Sequence, residues 1–281
     1  MALKIWEAIL YGIIGGITEV LPISFGAHAV LLAGAFNLTS LSEGGGYYVR
    51  AGVTLGVMAA ILLAFRNETF DTGREGLRLL RRQHLRRGDH RAALRRRNLL
   101  LGLFALVPML LSLIYTAPAE RIVRLPVVAL LLGLNGLLIF FCCRNGEGRR
   151  TQRDLMLTDT LLIGGGELLS VFPGLSPLGT ALCIGRATGL ERSYNLRLGY
   201  QLLLYYSGGA FLYRLIRAIA LGSFDFMVLL GMLLAALLAA VFGYLAIQYL
   251  RYLVAKGKLQ IFAYYCWEVA AILLILALIN A

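Results

Sequence analysis

The stretch Gly15–His28, GGITEVLPISFGAH, sets a glutamate, a proline, a serine and a histidine inside sequence that is otherwise apolar. Its flanks, WEAILYGII and AVLLAGAF, read as membrane, so ionisable groups and a helix breaker fall at a depth where both are costly. A second stretch, FPGLSPLG at Phe172–Gly179, interrupts another apolar segment in the same manner. The two broken segments, Ile5–Phe36 and Leu155–Thr188, each consist of halves too short to cross ~30 Å of hydrocarbon. Each therefore reads as a re-entrant helical hairpin that enters the membrane and leaves on the same side. Such irregular backbone survives there only when packed in protein or lining a wet cavity.

Six uninterrupted apolar runs read as transmembrane helices: Tyr47–Phe65, Asn98–Tyr115, Leu125–Cys143, Leu196–Leu221, Phe226–Leu250 and Gln260–Ile279. With 59% hydrophobic residues and a mean hydropathy of +0.76, the fold class is an all-α polytopic membrane protein, and a soluble domain is excluded. The first apolar stretch leads into EVLPISFGAH rather than a small-residue cleavage site, so a cleavable signal peptide is not expected. Cys142, Cys143, Cys183 and Cys266 lie in apolar surroundings without metal-type spacing and read as small buried hydrophobes.

The net charge of +12 is concentrated in Arg66–Arg97. In a membrane protein such a run marks a cytoplasmic loop facing anionic lipid rather than a nucleic-acid site. His84 and His90 within it read as solvated bystanders. The positive-inside rule places 66–97, 144–154 and 251–258 in the cytoplasm and 117–124 and 222–225 outside. The first hairpin then enters from outside and the second from inside. The chain reads as one membrane domain, 1–281, built as an inverted repeat. Repeat one is 1–143, with the basic cytoplasmic loop 66–97 inside it, and repeat two is 155–281. Each half holds one re-entrant hairpin (5–36 or 155–188) and three spans. Matching interrupted segments in two inverted halves point to a site near the midplane.

The residues that carry chemistry cluster at those breaks. Glu19, Ser24 and His28 flank the first, and Glu167, Ser170, Ser176 and Thr180 flank the second. Gly174 and Gly179 allow backbone N–H groups to approach an anion, and a helix N-terminus adds positive potential, so two facing breaks suit a phosphate. Glycine-rich breaks serve plain helix packing as well.

GGITEVLPISFGAH resembles the first signature of the undecaprenyl-diphosphate phosphatases of the bacitracin-resistance type, and FPGLSPLGTA resembles their second. The order of hairpins and spans matches over nearly the whole chain. The resemblance implies a multi-pass enzyme of the bacterial plasma membrane. It would remove the terminal phosphate of a C55 polyprenyl diphosphate with a divalent cation (Mg or Ca) and so recycle the lipid carrier of wall synthesis. Glu19, Ser24 and His28 keep family residues of the first signature. Pro173, Gly174, Ser176 and Gly179 keep residues of the second.

The departures are equally specific. The first acid of the family is Gly15 here, its second serine is Phe25, and its phosphate-binding arginine is Pro177. Two family glutamates are replaced by Arg50 and Arg197, and Glu167 stands where glutamine is common. Two main readings stay open. In one, the chain is a phosphatase with an altered site. His28 is then the base, Glu19 a metal ligand or acid–base partner, and Ser24 or Ser176 an orienting hydroxyl or nucleophile. Arg50 and Arg197 clamp the diphosphate, beside Gly174, Gly179, Thr180 and Glu167. In the other, a non-catalytic member binds or translocates a polyprenyl phosphate or another amphipathic anion. A carrier of ions or protons through Glu19, Glu167 and His28 is a third. The expected partners are the polyprenyl lipid and anionic membrane lipid at the basic loop, with no nucleic acid; the wide lipid-facing surface permits a homodimer.

Overall fold

A computed structural model of the chain describes residues 4–36, 44–82, 89–121, 124–144, 146–221 and 225–279. The described residues form helices α1 (Ile5–Glu19), α2 (Phe25–Phe36), α3 (Gly44–Ala64), α4 (Arg66–Leu80), α5 (His90–Arg121), α6 (Leu125–Arg144), α7 (Leu157–Leu168), α8 (Pro177–Ala187), α9 (Arg192–Ala220), α10 (Phe226–Ala255) and α11 (Ile261–Ile279). A single isolated bridge pairs Arg150 with Leu190.

Both interrupted segments break at their prolines. α1 stops at Glu19 and α2 starts at Phe25, with Pro22, which has no N–H to donate and disfavours helix in the residue before it, in the gap. Ser24 closes that gap at φ 61°, a left-handed conformation that costs a side-chain-bearing residue energy. In the second segment α7 gives way to a 3-10 turn at Leu169–Val171, and Gly174 turns the chain at φ 125°, where a side chain would be strained. α8 then begins with Ser176 as its cap, whose hydroxyl accepts from Gly179 N at 3.2 Å, and with Pro177 at the first helical position, where its missing N–H costs nothing.

Among the described residues four helices are long and apolar enough to cross a membrane: Gly46–Ala64, Leu125–Arg144, Phe226–Ala255 and Ile261–Ile279. The other two expected spans fall on α5 and α9, which are more polar. α9 alone carries Arg192, Arg197, Arg214 and Arg217. Only 28% of the apolar window of α10 is buried inside the protein, and Leu233, Leu237 and Leu245 point outward. The chain is membrane-embedded, and these side chains have lipid as their solvent. The expected external connections at 117–124 and 222–225 fall partly outside the described residues, as does His84.

The segment 66–97 departs from the loop expected for it: its described residues are mostly helical. α4 occupies its first half, and α5 begins inside its second. Phe70 and Leu77 recur on one side of α4 among Arg74, Arg78 and the acids. That amphipathic spacing supports a helix lying at an interface, and Phe70, Leu77 and Leu80 remain exposed.

Small residues set the main packing. Gly12 and Gly16 of α1 lie on Ala235 and Ala239 of α10, and Gly52 and Gly56 of α3 lie on Met232 and Ala236 of the same helix. A Cβ on Gly16 would come within 2.6 Å of Ala239 Cα, so the backbones approach as closely as helices allow. α6 packs on α11, α7 on α5, and α9 on α3. The most extensive helix pairings thus join an element before residue 150 to one after it, and the halves are interlocked.

Candidate functional site

The two breaks meet. The Ser24 hydroxyl accepts from Gly174 N at 3.0 Å, and Ser176 donates its own hydroxyl to Leu21 O at 3.3 Å. From α6, Asn135 donates to Pro22 O at 2.9 Å and accepts from Ser176 N at 3.1 Å, bridging one break to the other. From α9, the Tyr200 hydroxyl donates to Val20 O at 2.8 Å. Each contact satisfies a backbone group that a helix break leaves open, as burial requires. Thr180 Oγ1 turns onto its own helix, donating toward Ser176 O at 3.1 Å and Pro177 O at 2.9 Å. Ser24, Gly174 and Ser176 are therefore brought together as the joint between the breaks, with Thr180 one turn along α8.

Glu19 and His28 leave that joint in different directions. His28 points to α11, with Nε2 2.7 Å from the Tyr265 hydroxyl and Nδ1 2.8 Å from Ser24 O. A carbonyl only accepts, so Nδ1 carries the proton. In the neutral imidazole, Nε2 then accepts from Tyr265. Glu19, the last residue of α1, points to α9 instead. Its Oε1 is 3.8 Å from Arg214 Nη1, while its buried Oε2 has no hydrogen-bond partner among the described residues. Arg214 also donates to Thr54 Oγ1 and, at 3.5 Å, to Arg50 O. The Arg50 and Arg217 guanidiniums lie 5.9 Å and 5.7 Å from the centre of the Tyr47 ring. Three arginines from α3 and α9 thus gather at the end of these helices where α1 delivers a carboxylate. Arg214 and Arg217 were not expected. Their signal was present in FLYRLIRAIA, two arginines one turn apart in an apolar stretch.

Arg197 does not join this cluster. It lies about 25 Å, nearly five turns, from Arg214 along α9. Arg50 lies at the Arg214 end, where its carbonyl accepts from Arg214, so a joint clamp by Arg50 and Arg197 is not available. Glu167 is also apart. It is buried on α7, and neither carboxyl oxygen has a hydrogen-bond partner among the described residues.

Gly15 and Phe25 form a packed apolar contact. A Cβ on Gly15 would stand 2.8 Å from Val53 Cγ1 and 3.1 Å from Phe25 Cε2. The Phe25 ring meets Tyr11 edge-on at 5.4 Å. With Val53 and Phe25 in these positions there is no room for a longer side chain at position 15.

The donor set does not form a metal cage. Among the described residues no three His, Cys, Asp or Glu side chains come together, and Glu19 faces a guanidinium. Of the four free cysteines, Cys142, Cys183 and Cys266 are buried, as read for small hydrophobes, and Cys143 is partly exposed.

A family model described as bacitracin resistance protein BacA matches residues 8–272. The chain is 29% identical over 282 residues to an undecaprenyl-diphosphatase of Methanobrevibacter smithii, covering 96% of each chain. It is 29% identical to one of Rubrobacter xylanophilus, over 99% of this chain and 100% of that one. It is 27% identical to one of Moorella thermoacetica, over 96% and 97%.

Proposed function

The chain belongs to the bacitracin resistance protein BacA family, and from that membership we propose that it is an undecaprenyl-diphosphatase whose phosphate site has been rebuilt around Arg214. The observation that carries this reading is the Glu19–Arg214 pair with Thr54 and Arg50 beside it. Position 177 no longer supplies an arginine, and Arg214 brings a planar donor fork to the same carboxylate-bearing break from another helix. In the proposed reaction a water attacks the terminal phosphorus, and the unpartnered Oε2 of Glu19 takes its proton. The bond from the terminal phosphorus to the bridging oxygen breaks, releasing inorganic phosphate and polyprenyl monophosphate. Arg214 and Arg50 hold the diphosphate and offset the charge that builds on it. Among the described residues at this break only Glu19 could hold a divalent cation, Mg or Ca, which would offset the charge of the diphosphate.

The finer topology belongs to the same proposal: two re-entrant hairpins at 5–36 and 155–188, repeats 1–143 and 155–281, and segments 66–97 and 144–154 on the cytoplasmic side of the plasma membrane. Exchanging the halves turns the α1–α10 pairing into the α7–α5 pairing, which supports the repeat.

A second reading is favoured by a different observation. Ser24, Ser176 and His28 spend their polar atoms on the joint and on Tyr265. A chain that only binds or translocates a polyprenyl phosphate needs no free nucleophile. The deciding experiment is phosphate release from farnesyl and undecaprenyl diphosphate, with and without EDTA, beside the Moorella thermoacetica relative. We expect Mg-dependent release, reduced roughly 100-fold or more in Arg214→Ala and Glu19→Gln. No release while the relative is active would remove the phosphatase reading. Farnesyl monophosphate binding that weakens in Arg214→Ala would then support the second.

A further inference from the structure

At the opposite end of α9 from Glu19 lies a partly open cavity of about 980 Å³, lined by the end of α3, by α4, by the start of α5 and by the first turns of α9. Its size is that of a ligand site rather than a packing fault. Its lining mixes two chemistries. Arg91, Arg95, Arg97, Arg153 and Arg197 outnumber two carboxylates, Glu68 and Asp71. Ile61, Phe65, Leu198 and Leu204 add apolar surface.

The arginines are not equally committed. Arg95 is 3.3 Å from Asp71. Arg97 is anchored to the carbonyls of Arg153 and Leu155 at 3.0 and 2.8 Å, which fixes it in the wall. Arg91, Arg153 and Arg197 form no ion pair among the described residues, although all three face the cavity. α9 also directs its N-terminal end here, adding positive potential. On its outer side α4 exposes Phe70 and Leu77, so the cavity sits behind a helix of interfacial character.

We propose that this cavity is a second, separate binding site for an amphipathic phosphate. The phosphate head lies among Arg91, Arg153 and Arg197, and the first part of the apolar tail lies on Ile61, Phe65, Leu198 and Leu204. The head chemistry is shared by a polyprenyl monophosphate and an anionic phospholipid. The site is independent of the reaction proposed at Glu19, because the length of α9 keeps one head from reaching both ends. It also gives Arg197 a role that its separation from Arg50 denies it at the other site.

The test is binding to the full chain in neutral-lipid nanodiscs by native mass spectrometry, with three probes: farnesyl monophosphate, phosphatidylglycerol and inorganic phosphate. Arg153→Ala/Arg197→Ala should weaken the lipid probes by about tenfold or more, while Arg214→Ala leaves this site's binding in place. Gly73→Trp and Gly76→Leu should exclude the tail without disturbing the fold. A Cβ at Gly73 meets nothing within 4 Å, and one at Gly76 meets only Leu99 Cδ2 at 3.6 Å. Loss of one bound farnesyl monophosphate in the Arg153→Ala/Arg197→Ala and glycine variants but not in Arg214→Ala, with phosphatidylglycerol weak, supports the proposal with the polyprenyl lipid as source. The reverse ranking supports it with membrane phospholipid as source. Lipid binding unchanged in both arginine and glycine variants overturns it. Inorganic phosphate binding as tightly as the lipids, and unaffected by the glycine variants, overturns the amphipathic assignment.

Discussion

Ser24 shows how one residue can serve a fold against its own conformational preference. It sits at φ 61° because its hydroxyl there accepts from Gly174 N at 3.0 Å and its carbonyl accepts from His28 Nδ1 at 2.8 Å. Two substitutions separate these terms. Ser24→Ala keeps the left-handed strain and strands a buried N–H, which costs about 1–3 kcal/mol. Ser24→Gly strands the same N–H but removes roughly 1 kcal/mol of strain. In thermal unfolding Ser24→Gly should therefore melt above Ser24→Ala, with both below the parent chain. The reverse order would show that the backbone there is not strained. The chemistry of Glu19 has the same local logic. Its depth and its place at a break were legible from sequence, but its partner was not, because Arg214 lies on another helix and reaches it only through packing.

At the scale of elements, the joint between the two breaks rests on side chains borrowed from uninterrupted helices. Asn135 stands alone as a polar residue in LLLGLNGLLIFF and answers to both breaks at once. Asn135→Leu leaves the Pro22 carbonyl and the Ser176 amide without it, a loss of about 2–4 kcal/mol. Tyr200→Phe deprives only the Val20 carbonyl, about 1–2 kcal/mol. Denaturant titration should rank them in that order, and equal losses would mean that Asn135 does not bridge. The connection before α7 is held differently. Arg150 reaches buried Asp159 at 2.6 Å and Thr188 O at 2.7 Å, fastening 150–159 to the end of α8. Arg150→Ala leaves that carboxylate buried without its cation. The loss should be about 2–4 kcal/mol, discounted from a fully buried pair because Arg150 is partly exposed. Faster hydrogen exchange in 150–160 would report it.

For the molecule as a whole, stability depends on two halves clasped through α10. Gly56 lies so close to Ala236 O and Ala239 Cβ that any side chain there must push α3 away. Gly56→Leu should abolish the monodisperse folded species in size-exclusion chromatography. Gly133→Leu, on a helix face where a Cβ meets nothing within 4 Å, should leave it intact. Comparable profiles for both would refute close packing as the source of cohesion. Where the halves meet also explains the two chemical ends of α9, one beside Glu19 and one lining a basic cavity. No single span contains either of them.

The amino-acid sequence alone determined that this chain is helical, membrane-embedded and broken at two proline-bearing segments. Those properties follow from local causes: the apolar length of a segment, the missing N–H of proline and the spacing of arginines. It also carried the family, through residues clustered at the breaks. Only the tertiary structure decided which charges face one another. It sent His28 to Tyr265 and Glu19 to Arg214, set Arg197 at the far end of its helix, and filled the space beside Gly15 with Phe25. The physical reason is that a contact between distant residues depends on how whole helices pack, and the small-residue seams that bring α1, α3, α9 and α10 together act through shape rather than through any local signal.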